Sequence, residues 1–469
     1  MEAYDLVCLG CGPAGERAAA QASKLGKRVA VIEREVRPGG AMVNTGTLPS
    51  KALRETALLC SMFHRRPLPG MELNFDRTMS VPRFMAQRHR LEMEEHDRIE
   101  SMIDRHNITV LRGHGQIIDA NTVAYAPEFS DPIHVRAERI LICTGSRPVR
   151  PEFIPFDDVR IVDADSVLTL NAMPERMVIV GGGVIGCEYA SIFAEINVKV
   201  DLVHPRDAVL PWLDPDCRGV LEDTMRHAGV NFRYNASVES VDRDPNGPLR
   251  VVLESGESIE TDVMLWAAGR APNTDTIGLD NVNVETTERG HIVVDESFQT
   301  SEPTIYAAGD IIGFPALAAT SLEQGRIAAS AMFGAPYLKT LAETMPVGIY
   351  TVPAISCVGL SEADAIKKGM DVVAASASYS SNSRGRMLGD SQGMLKCIFE
   401  RDSRRIVGAT VVGEQATELV HVAQLAISAQ VGVEYFVDAC FNYPSLTALF
   451  KTAAHDFLRQ IEVPVSRAA

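Results

Sequence analysis

Several features that would assign this 469-residue chain to a specialised class are missing from it. No apolar run reaches the ~18 residues that a membrane-spanning helix needs. A strand-like segment, residues 4–9, begins almost at the first Met, so we expect no secretory signal and a cytoplasmic protein. Basic residues are fewer than acidic ones, 45 against 61, and the net charge of −16 should repel nucleic acid and anionic membranes.

Cysteine is also scarce. Nine cysteines in a chain of this length do not make a disulfide framework. Cys143 and Cys187 lie in apolar stretches, where we expect small buried side chains. Cys8 and Cys11 have C-x-x-C spacing, for which a redox or zinc site is the alternative interpretation. No second C-x-x-C completes a zinc site, so we favour the structural interpretation and predict no bound metal.

What the chain does have is the composition of a soluble globular protein, with 46% apolar and 23% charged residues. At roughly 150 residues per domain, its length suggests about three domains. The start of the chain has the pattern of a dinucleotide-binding βαβ unit. An apolar strand leads into G-x-G-x-x-G at Gly10, Gly12 and Gly15, then an alanine-rich helix that stops at Gly26 and a second strand that ends at Glu33.

These glycines permit a tight turn and the close approach of a pyrophosphate, which the N–H groups of the helix N-terminus can bind. Glu33 lies 23 positions after Gly10, where a carboxylate can accept hydrogen bonds from ribose hydroxyls. Because strand, turn, helix, strand and acid are all present, the unit predicts dinucleotide binding much more strongly than the glycines alone.

The same unit recurs at Gly181, Gly183 and Gly186, and its second strand ends at His204, again 23 positions after the first glycine. Two units in one chain predict two dinucleotides placed for hydride transfer between them. A carboxylate at the strand end would favour NAD, whereas His204 with Arg206 tolerates the 2′-phosphate of NADP. NADP binding is therefore expected without excluding NAD; alternatively, both residues are simply exposed polar groups at a strand end.

Three further segments each contain an apolar strand followed by glycine. They are "ILICTGSRP" (140–148), "MLWAAGRAPNT" (264–274) and "TIYAAGDIIG" (304–313), the last of which contains Asp310. Together with both βαβ units they resemble the two-dinucleotide-binding flavoproteins, the family of glutathione reductase and dihydrolipoamide dehydrogenase. The resemblance covers nearly the whole chain. It implies FAD on the first unit, with Asp310 holding the ribitol chain, and NAD(P) on the second.

The resemblance also implies the fold class: α/β, with two Rossmann-like dinucleotide-binding domains for FAD and NAD(P) and an α+β C-terminal dimerisation domain. The FAD domain is expected in two parts, residues 1–150 and 271–345. The NAD(P) domain is expected at 151–270 and the dimerisation domain at 346–469, which implies a homodimer or a higher homo-oligomer. The charged segment 81–106 predicts a helix, and the resemblance implies that this helix is long and exposed.

The dithiol machinery of that family is not present in this chain. The family's loop G-G-x-C-x-x-x-x-C-x-P-x-K is similar to "GGAMVNTGTLPSK" (39–51), in which Met42 and Thr47 occupy the two cysteine positions. Neither side chain can form a thiolate. The family's C-terminal H-P-x-x-x-E is similar to "YPSLTA", in which Tyr443 and Ala448 replace the base and the acid. Tyrosine, with a usual pKa near 10, is a poor base at neutral pH.

The segments "GTLPSKALRE" and "FNYPS" resemble one branch of the family, the soluble flavin-containing pyridine nucleotide transhydrogenases. Met42 and Ala448 depart from that branch, which usually keeps Cys and Glu there. The resemblance implies a ping-pong exchange in which hydride passes from NADPH to flavin and then to NAD. Two alternatives stay open: an NAD(P)H:quinone reductase or NAD(P)H oxidase, and a non-catalytic flavin-binding redox sensor.

The resemblance implies a reacting centre as well. Lys51 would lie near flavin N5, paired with Glu188, and a helix over residues 315–334 would point its N-terminus at the flavin pyrimidine, where the helix dipole favours negative charge. Tyr443 would cover the opposite face from the partner subunit, or only pack in the interface. The complete set of cofactor-binding residues expected from both units and the resemblance is Gly10, Gly12, Pro13, Ala14, Gly15, Glu33, Gly40, Thr45, Lys51, Gly115, Thr144, Gly145, Gly181, Gly183, Ile185, Gly186, Glu188, His204, Arg206, Gly269, Arg270, Gly309 and Asp310.

Overall fold

A computed structural model describes residues 1–65, 81–127, 130–244, 247–335 and 344–462. Two sheets with parallel cores are followed by one antiparallel sheet, which confirms the expected fold class. The last residues of the expected dimerisation domain, 463–469, lie outside the described part of the chain.

The first segment builds most of a sheet in the order β3-β2-β1-β6-β5-β4, of which β3, β2, β1 and β6 are parallel. Its elements are β1 (Glu2–Leu9), α1 (Pro13–Lys24), β2 (Val29–Glu33), α2 (Gly40–Asn44), α3 (Thr47–Arg65), α4 (Val81–Arg105), β3 (Thr109–Arg112), β4 (His114–Asp119), β5 (Thr122–Ala126), β6 (Ile133–Ile142) and β7 (Ser146–Pro148).

Helix α4 confirms the long charged helix but corrects the expectation that it is exposed. One face of α4 buries Phe84, Ile99 and Ile103. A polar side chain of α4 also contacts the first βαβ unit: the guanidinium of Arg98 pairs with the buried carboxylate of Glu16 on α1 at 2.9 Å. The charged side chains of α4 therefore include groups that attach the helix to the rest of the domain.

The second segment forms a parallel sheet in the order β11-β10-β9-β15-β8 and a three-stranded antiparallel sheet, β12-β13-β14. Alternate residues of β9 face opposite sides, so that Val178 packs toward the antiparallel sheet and Ile179 packs among helix residues. Its elements are β8 (Ile161–Asp163), β9 (Arg176–Val180), α5 (Val184–Glu195), β10 (Lys199–His204), α6 (Pro215–His227), β11 (Val230–Tyr234), β12 (Val238–Arg243), β13 (Leu249–Leu253), β14 (Ser258–Thr261) and β15 (Val263–Trp266).

The chain then returns to the first sheet through β16 (Arg270–Pro272), β17 (Ile305–Ala307) and α7 (Ala318–Met332). Strand β16 pairs with β7, and β17 pairs in parallel with β6. Helix α7 lies against α1 so closely that a Cβ on Gly325 would be 2.0 Å from the carbonyl oxygen of Ala14. Only glycine fits at this crossing.

The C-terminal segment is an antiparallel sheet in the order β18-β19-β22-β21-β20 with a phenylalanine-rich core that includes Phe399, Phe436 and Phe457. No helix in the described residues is both long enough and apolar enough to cross a membrane. The elements of the C-terminal segment are β18 (Val347–Ile349), β19 (Ile355–Gly359), α8 (Glu362–Lys367), β20 (Val372–Ser378), α9 (Ser383–Leu388), β21 (Met394–Glu400), β22 (Ile406–Val412), α10 (Ala416–Ser428), α11 (Val433–Asp438) and α12 (Ala448–Glu462).

A buried lysine connects this C-terminal sheet to the second segment. Lys396 on β21 is 4% exposed, and its Nζ lies 3.4 Å from Asp214, 3.1 Å from Asp216 and 2.8 Å from Glu362. Burial acts to lower the pKa of Lys396, but hydrogen bonds to Glu362 and Asp216 outweigh it and the pKa is raised. The charged lysine therefore fixes the start of α6 against the sheet.

We expect Lys396→Met to destabilise the protein by about 3–5 kcal/mol, because it leaves the buried carboxylate of Asp214 without its cation. Urea denaturation followed by circular dichroism measures the loss. The control is Lys367→Met, which removes an exposed lysine of α8 and should change stability by less than about 0.5 kcal/mol. Equal losses for the two variants would contradict the role given to Lys396.

Candidate functional site

A cavity of about 470 Å³ lies where the carboxyl ends of β1, β2, β6 and β17 meet. Ligands of open α/β sheets bind at this edge. Twelve of the residues expected to bind a cofactor line it: Gly10, Gly12, Pro13, Ala14, Glu33, Gly40, Thr45, Gly115, Thr144, Gly145, Gly309 and Asp310.

The first glycine turn leaves room for a ligand because side chains are excluded from it. Gly10 has φ +104°, and a Cβ on Gly15 would lie 2.1 Å from the carbonyl oxygen of Gly10. A Cβ on Gly40 would lie 2.7 Å from the Cα of Gly12. Helix α1 begins here with Pro13, and no side chain caps its first turn. Its free N–H groups suit a pyrophosphate.

Glu33 marks the other end of this βαβ unit and is held by two backbone groups. Its Oε2 accepts from the N–H of Cys11 at 2.8 Å, and its Oε1 accepts from the N–H of Glu35 at 3.0 Å. Burial raises the pKa of Glu33, and these hydrogen bonds oppose that rise. The carboxylate is thus fixed at the cavity wall, where the hydroxyls of a ribose can donate to it.

The thiols near this cavity are unsuited to redox chemistry. Cys11 and Cys143 line it, but burial raises the pKa of Cys11 well above its usual range, and hydrogen bonding to Cys8 together with burial does the same for Cys143. The loop that carries the family's cysteines instead places Met42 and Thr47 at the wall. All nine cysteines are free, and no cluster of metal-ligating side chains occurs within the described ranges.

Lys51 and Glu188, 137 positions apart, form the ion pair that the resemblance implied. Lys51 Nζ lies 2.9 and 2.7 Å from the two carboxylate oxygens. Glu188 is 3% exposed and also accepts from the N–H of Tyr350 at 2.9 Å. Lys51 Nζ in turn lies 4.9 Å from the centre of the Tyr350 ring. This carboxylate is therefore shared by the first, second and C-terminal segments.

The second unit repeats the backbone of the first. A Cβ on Gly186 would lie 1.8 Å from the carbonyl oxygen of Gly181, and no side chain caps α5, whose first turn includes Ile185. The N–H of Gly182 donates to His204 Nδ1 at 3.1 Å, just as the N–H of Cys11 donates to Glu33. Because Nδ1 accepts, the ring proton is on Nε2.

His204 is consequently a neutral group at the position of the usual acid. Burial, and then the neighbouring Arg206, lower the pKa of His204. Arg206 is exposed two residues beyond the end of β10. The strand end therefore carries no negative side chain equivalent to Glu33.

Helix α7 confirms the helix expected over residues 315–334 and starts at the cavity, since Ala318 and Ser321 line it. Its first turn has no side-chain cap. From the same helix, Gln324 accepts from the N–H of Gly309 at 2.8 Å and so holds the turn that presents Asp310. The positive end of the helix dipole is thus directed into the site.

Tyr443 lies outside this cavity, on the surface of the C-terminal segment. It is 83% exposed, and its hydroxyl is 2.8 Å from Ser383 Oγ. Ala448 is the first residue of α12. A role for Tyr443 at a cofactor therefore requires a second subunit.

Several polar residues of the cavity were not expected from the sequence, among them Ser146, Asp165 and Asn273. Ser146 and Asn273 lie inside segments that carried the resemblance, so their positions gave a usable signal. Asp165 belongs to no motif. Arg270, expected among the cofactor-binding residues with Gly269, turns its guanidinium toward Ser146 and Asp165.

The chain is similar to known proteins over nearly its whole length. The model of the pyridine nucleotide-disulphide oxidoreductase family matches residues 4–325, and the model of its dimerisation domain matches residues 345–454. The chain is 39% identical over 462 residues to a soluble pyridine nucleotide transhydrogenase of Mycobacterium bovis, covering 98% of each chain. It is 38% identical over 455 residues to one of Marinomonas sp., covering 96% of this chain and 97% of the relative.

Solved structures give the same fold. LpdA from Mycobacterium tuberculosis aligns with a TM-score of 0.89 and 27% identity, covering 97% of this chain and 99% of that one. A Cu(II) complex of RclA, a HOCl-induced flavoprotein disulfide reductase from Escherichia coli, aligns with a TM-score of 0.87 and 25% identity over the same shares.

The two glycine turns can be tested separately. Gly15→Ala should abolish binding of the flavin expected in the first unit, because the new methyl group collides with backbone; the loss is seen in the visible absorbance of the purified protein. Gly186→Ala should keep the flavin but prevent its reduction by NADH or NADPH.

Gly219→Ala on α6 is the control, since a Cβ added there would meet no atom within 4 Å. This substitution should stabilise the helix by roughly 0.5–1 kcal/mol. Loss of flavin in the Gly186 variant would argue against separate roles for the two turns.

Proposed function

The chain belongs to the pyridine nucleotide-disulphide oxidoreductase family, and we propose that it transfers hydride from NADPH to NAD through bound FAD, as a soluble transhydrogenase. The observation that carries the proposal is the combination of two dinucleotide turns with a loop that offers Met42 and Thr47 to the cavity instead of thiols. Electrons that reach the flavin have no disulfide to enter, so a second nicotinamide becomes their acceptor.

FAD is assigned to the cavity of the first unit. Glu33 accepts from the ribose, the N–H groups of α1 bind the pyrophosphate, and Asp310 accepts from the ribitol chain. The excluded Cβ positions at Gly10 and Gly15 support this fit, because they leave the backbone open to a pyrophosphate. When bound, the flavin supplies a hydride acceptor and donor, which no side chain can replace.

Lys51 and Glu188 are assigned to the reacting centre. The ammonium group of Lys51 favours negative charge on a neighbouring ring, and Glu188 holds that ammonium in one position. Tyr443 is assigned to the opposite face of the ring in the partner subunit, which agrees with its exposure and with the match to a dimerisation domain. We further propose a cytoplasmic homodimer with FAD domain 1–150 and 271–345, NAD(P) domain 151–270 and dimerisation domain 346–469.

The second unit has to accept both nicotinamide dinucleotides in turn. Gly181, Gly183 and Gly186 receive the pyrophosphate, and the neutral His204 repels neither a 2′-hydroxyl nor a 2′-phosphate. Arg206 supplies the cation that favours the phosphate. This combination suits an enzyme that binds NADPH, releases NADP and then binds NAD at one site.

Arg206→Ala should weaken NADPH about tenfold or more, the effect of losing a charged hydrogen bond, with little change for NADH. His204→Glu should also weaken NADPH selectively, because it recreates the carboxylate seen at Glu33. Equilibrium titration with each dinucleotide, followed by flavin absorbance, measures both effects. Arg250→Ala, an exposed arginine of β13, is the control. Equal weakening of NADH and NADPH by Arg206→Ala would refute the assignment.

The function itself is tested by stopped-flow oxidation of the NADPH-reduced enzyme with NAD, a quinone or oxygen as acceptor. We expect NAD to reoxidise the flavin fastest. Slow reoxidation by NAD beside fast reoxidation by quinone or oxygen would replace the proposal with a quinone reductase or an oxidase. Failure of both NADPH and NADH to bleach the flavin would leave a non-catalytic flavoprotein.

A further inference from the structure

Asp310, the carboxylate assigned to the ribitol chain, is held through one of its two oxygens. Its Oδ2 accepts from the hydroxyl of Ser146 at 2.8 Å. Its Oδ1 receives no hydrogen bond from any residue that the structure describes. Both residues lie at the cavity wall. One oxygen is thus fixed by the protein, and the other stays available to a ligand.

The hydroxyl of Ser146 is itself oriented by Arg270. Arg270 Nε donates to Ser146 Oγ at 2.9 Å, and its Nη2 donates to the carbonyl oxygen of Ser146 at 2.8 Å. A guanidinium only donates. Ser146 Oγ therefore accepts from Arg270, and its single proton is directed to Asp310. The donor and the acceptor are therefore known in both hydrogen bonds: Arg270 donates to Ser146, and Ser146 donates to Asp310.

Arg270 is in turn positioned from the second segment. Its Nη1 lies 3.5 Å from Oδ1 of Asp165. Asp165 also lines the cavity, and burial raises the pKa of its carboxyl group. These polar groups thus connect Asp310, which follows β17, to Asp165, which follows β8. Arg270 and Ser146, which lie between them, belong to the paired strands β16 and β7.

We propose that Ser146 and Arg270 are positioning residues for the flavin cofactor, which orient Asp310 so that its free oxygen accepts from a hydroxyl of the ribitol chain. This inference rests on the proposed flavin site. An acceptor that is already oriented loses less conformational freedom when the ligand binds.

A merely structural role is a poor account of these contacts, because the ladder has other support. Strands β7 and β16 are joined by backbone pairing, from Arg270 opposite Pro148 to Pro272 opposite Ser146. Arg147 adds contacts of 3.0 and 2.8 Å to the carboxylate of Asp275. Removal of one serine hydroxyl leaves all of these in place.

The test compares FAD affinity of the apoprotein of the full chain for Ser146→Ala, Asp310→Ala and the double variant. We expect Ser146→Ala to weaken FAD about fivefold to tenfold, in the range of one lost hydrogen bond, and Asp310→Ala to weaken it more. The double variant should bind no more weakly than Asp310→Ala alone, since the serine acts only through the carboxylate. Arg270→Lys should resemble Ser146→Ala, because an ammonium cannot make the three contacts together.

The control is Ser297→Ala, which removes a 2.7 Å hydrogen bond from a serine to Asp295 on the surface, outside the cavity. It should leave FAD affinity unchanged. Thermal unfolding of each apoprotein is recorded in parallel, and Ser146→Ala should match the unmodified chain.

Three results would overturn the inference: FAD affinity unchanged in Ser146→Ala, independent losses that multiply in the double variant, or an apoprotein destabilised enough to explain the weaker binding. Unchanged affinity in Asp310→Ala would instead remove the flavin assignment of the cavity. None of these four outcomes depends on which acceptor the reduced enzyme prefers. Failure of this inference can therefore be told apart from failure of the proposed function.

Discussion

The buried carboxylate of Glu188 accepts hydrogen bonds that join the two dinucleotide units to each other and to the C-terminal segment. Glu188 belongs to α5, and it accepts from Lys51 on α3 and from the backbone of Tyr350. A carboxylate taken out of water is stable only when such donors replace the water. The segments that carry the cavity, the second turn and the C-terminal sheet therefore meet at this carboxylate. Beside it, the N–H of Val352 donates to Ser191 Oγ at 3.1 Å.

The two βαβ units show how one backbone supports two chemical preferences. In each, the N–H inside the glycine turn donates to the side chain at the end of the second strand. Glu33 brings a carboxylate to that contact and His204 brings a neutral imidazole, so the backbone is satisfied in both. A ribose bound at either strand end would meet this difference, and the 2′-position of that ribose is where NAD and NADP differ.

The cavity limits the chemistry by what its walls can accept. Met42 and Thr47 cannot store electrons, and the thiols of Cys11 and Cys143 are buried with raised pKa values. Lys51 and Glu188 form an ion pair at 2.7 Å, and neither side chain can store electrons. A hydride delivered there must leave on a ligand that comes to the flavin. Substitution of the thiols thus turns a disulfide reductase fold into one suited to exchange between nucleotides.

Both glycine turns, the strand that ends at Glu33, helix α7 and the substituted loop were determined by the sequence itself, because each pattern is complete within about thirty neighbouring residues. The Lys51–Glu188 pair needed the family resemblance, since 137 positions separate its members. Only the tertiary structure decided that one face of α4 is buried, that Tyr350 shares Glu188, and that Arg270 reaches Asp310 through Ser146. Those contacts join segments far apart in the chain, and packing, not local spacing, brings them together.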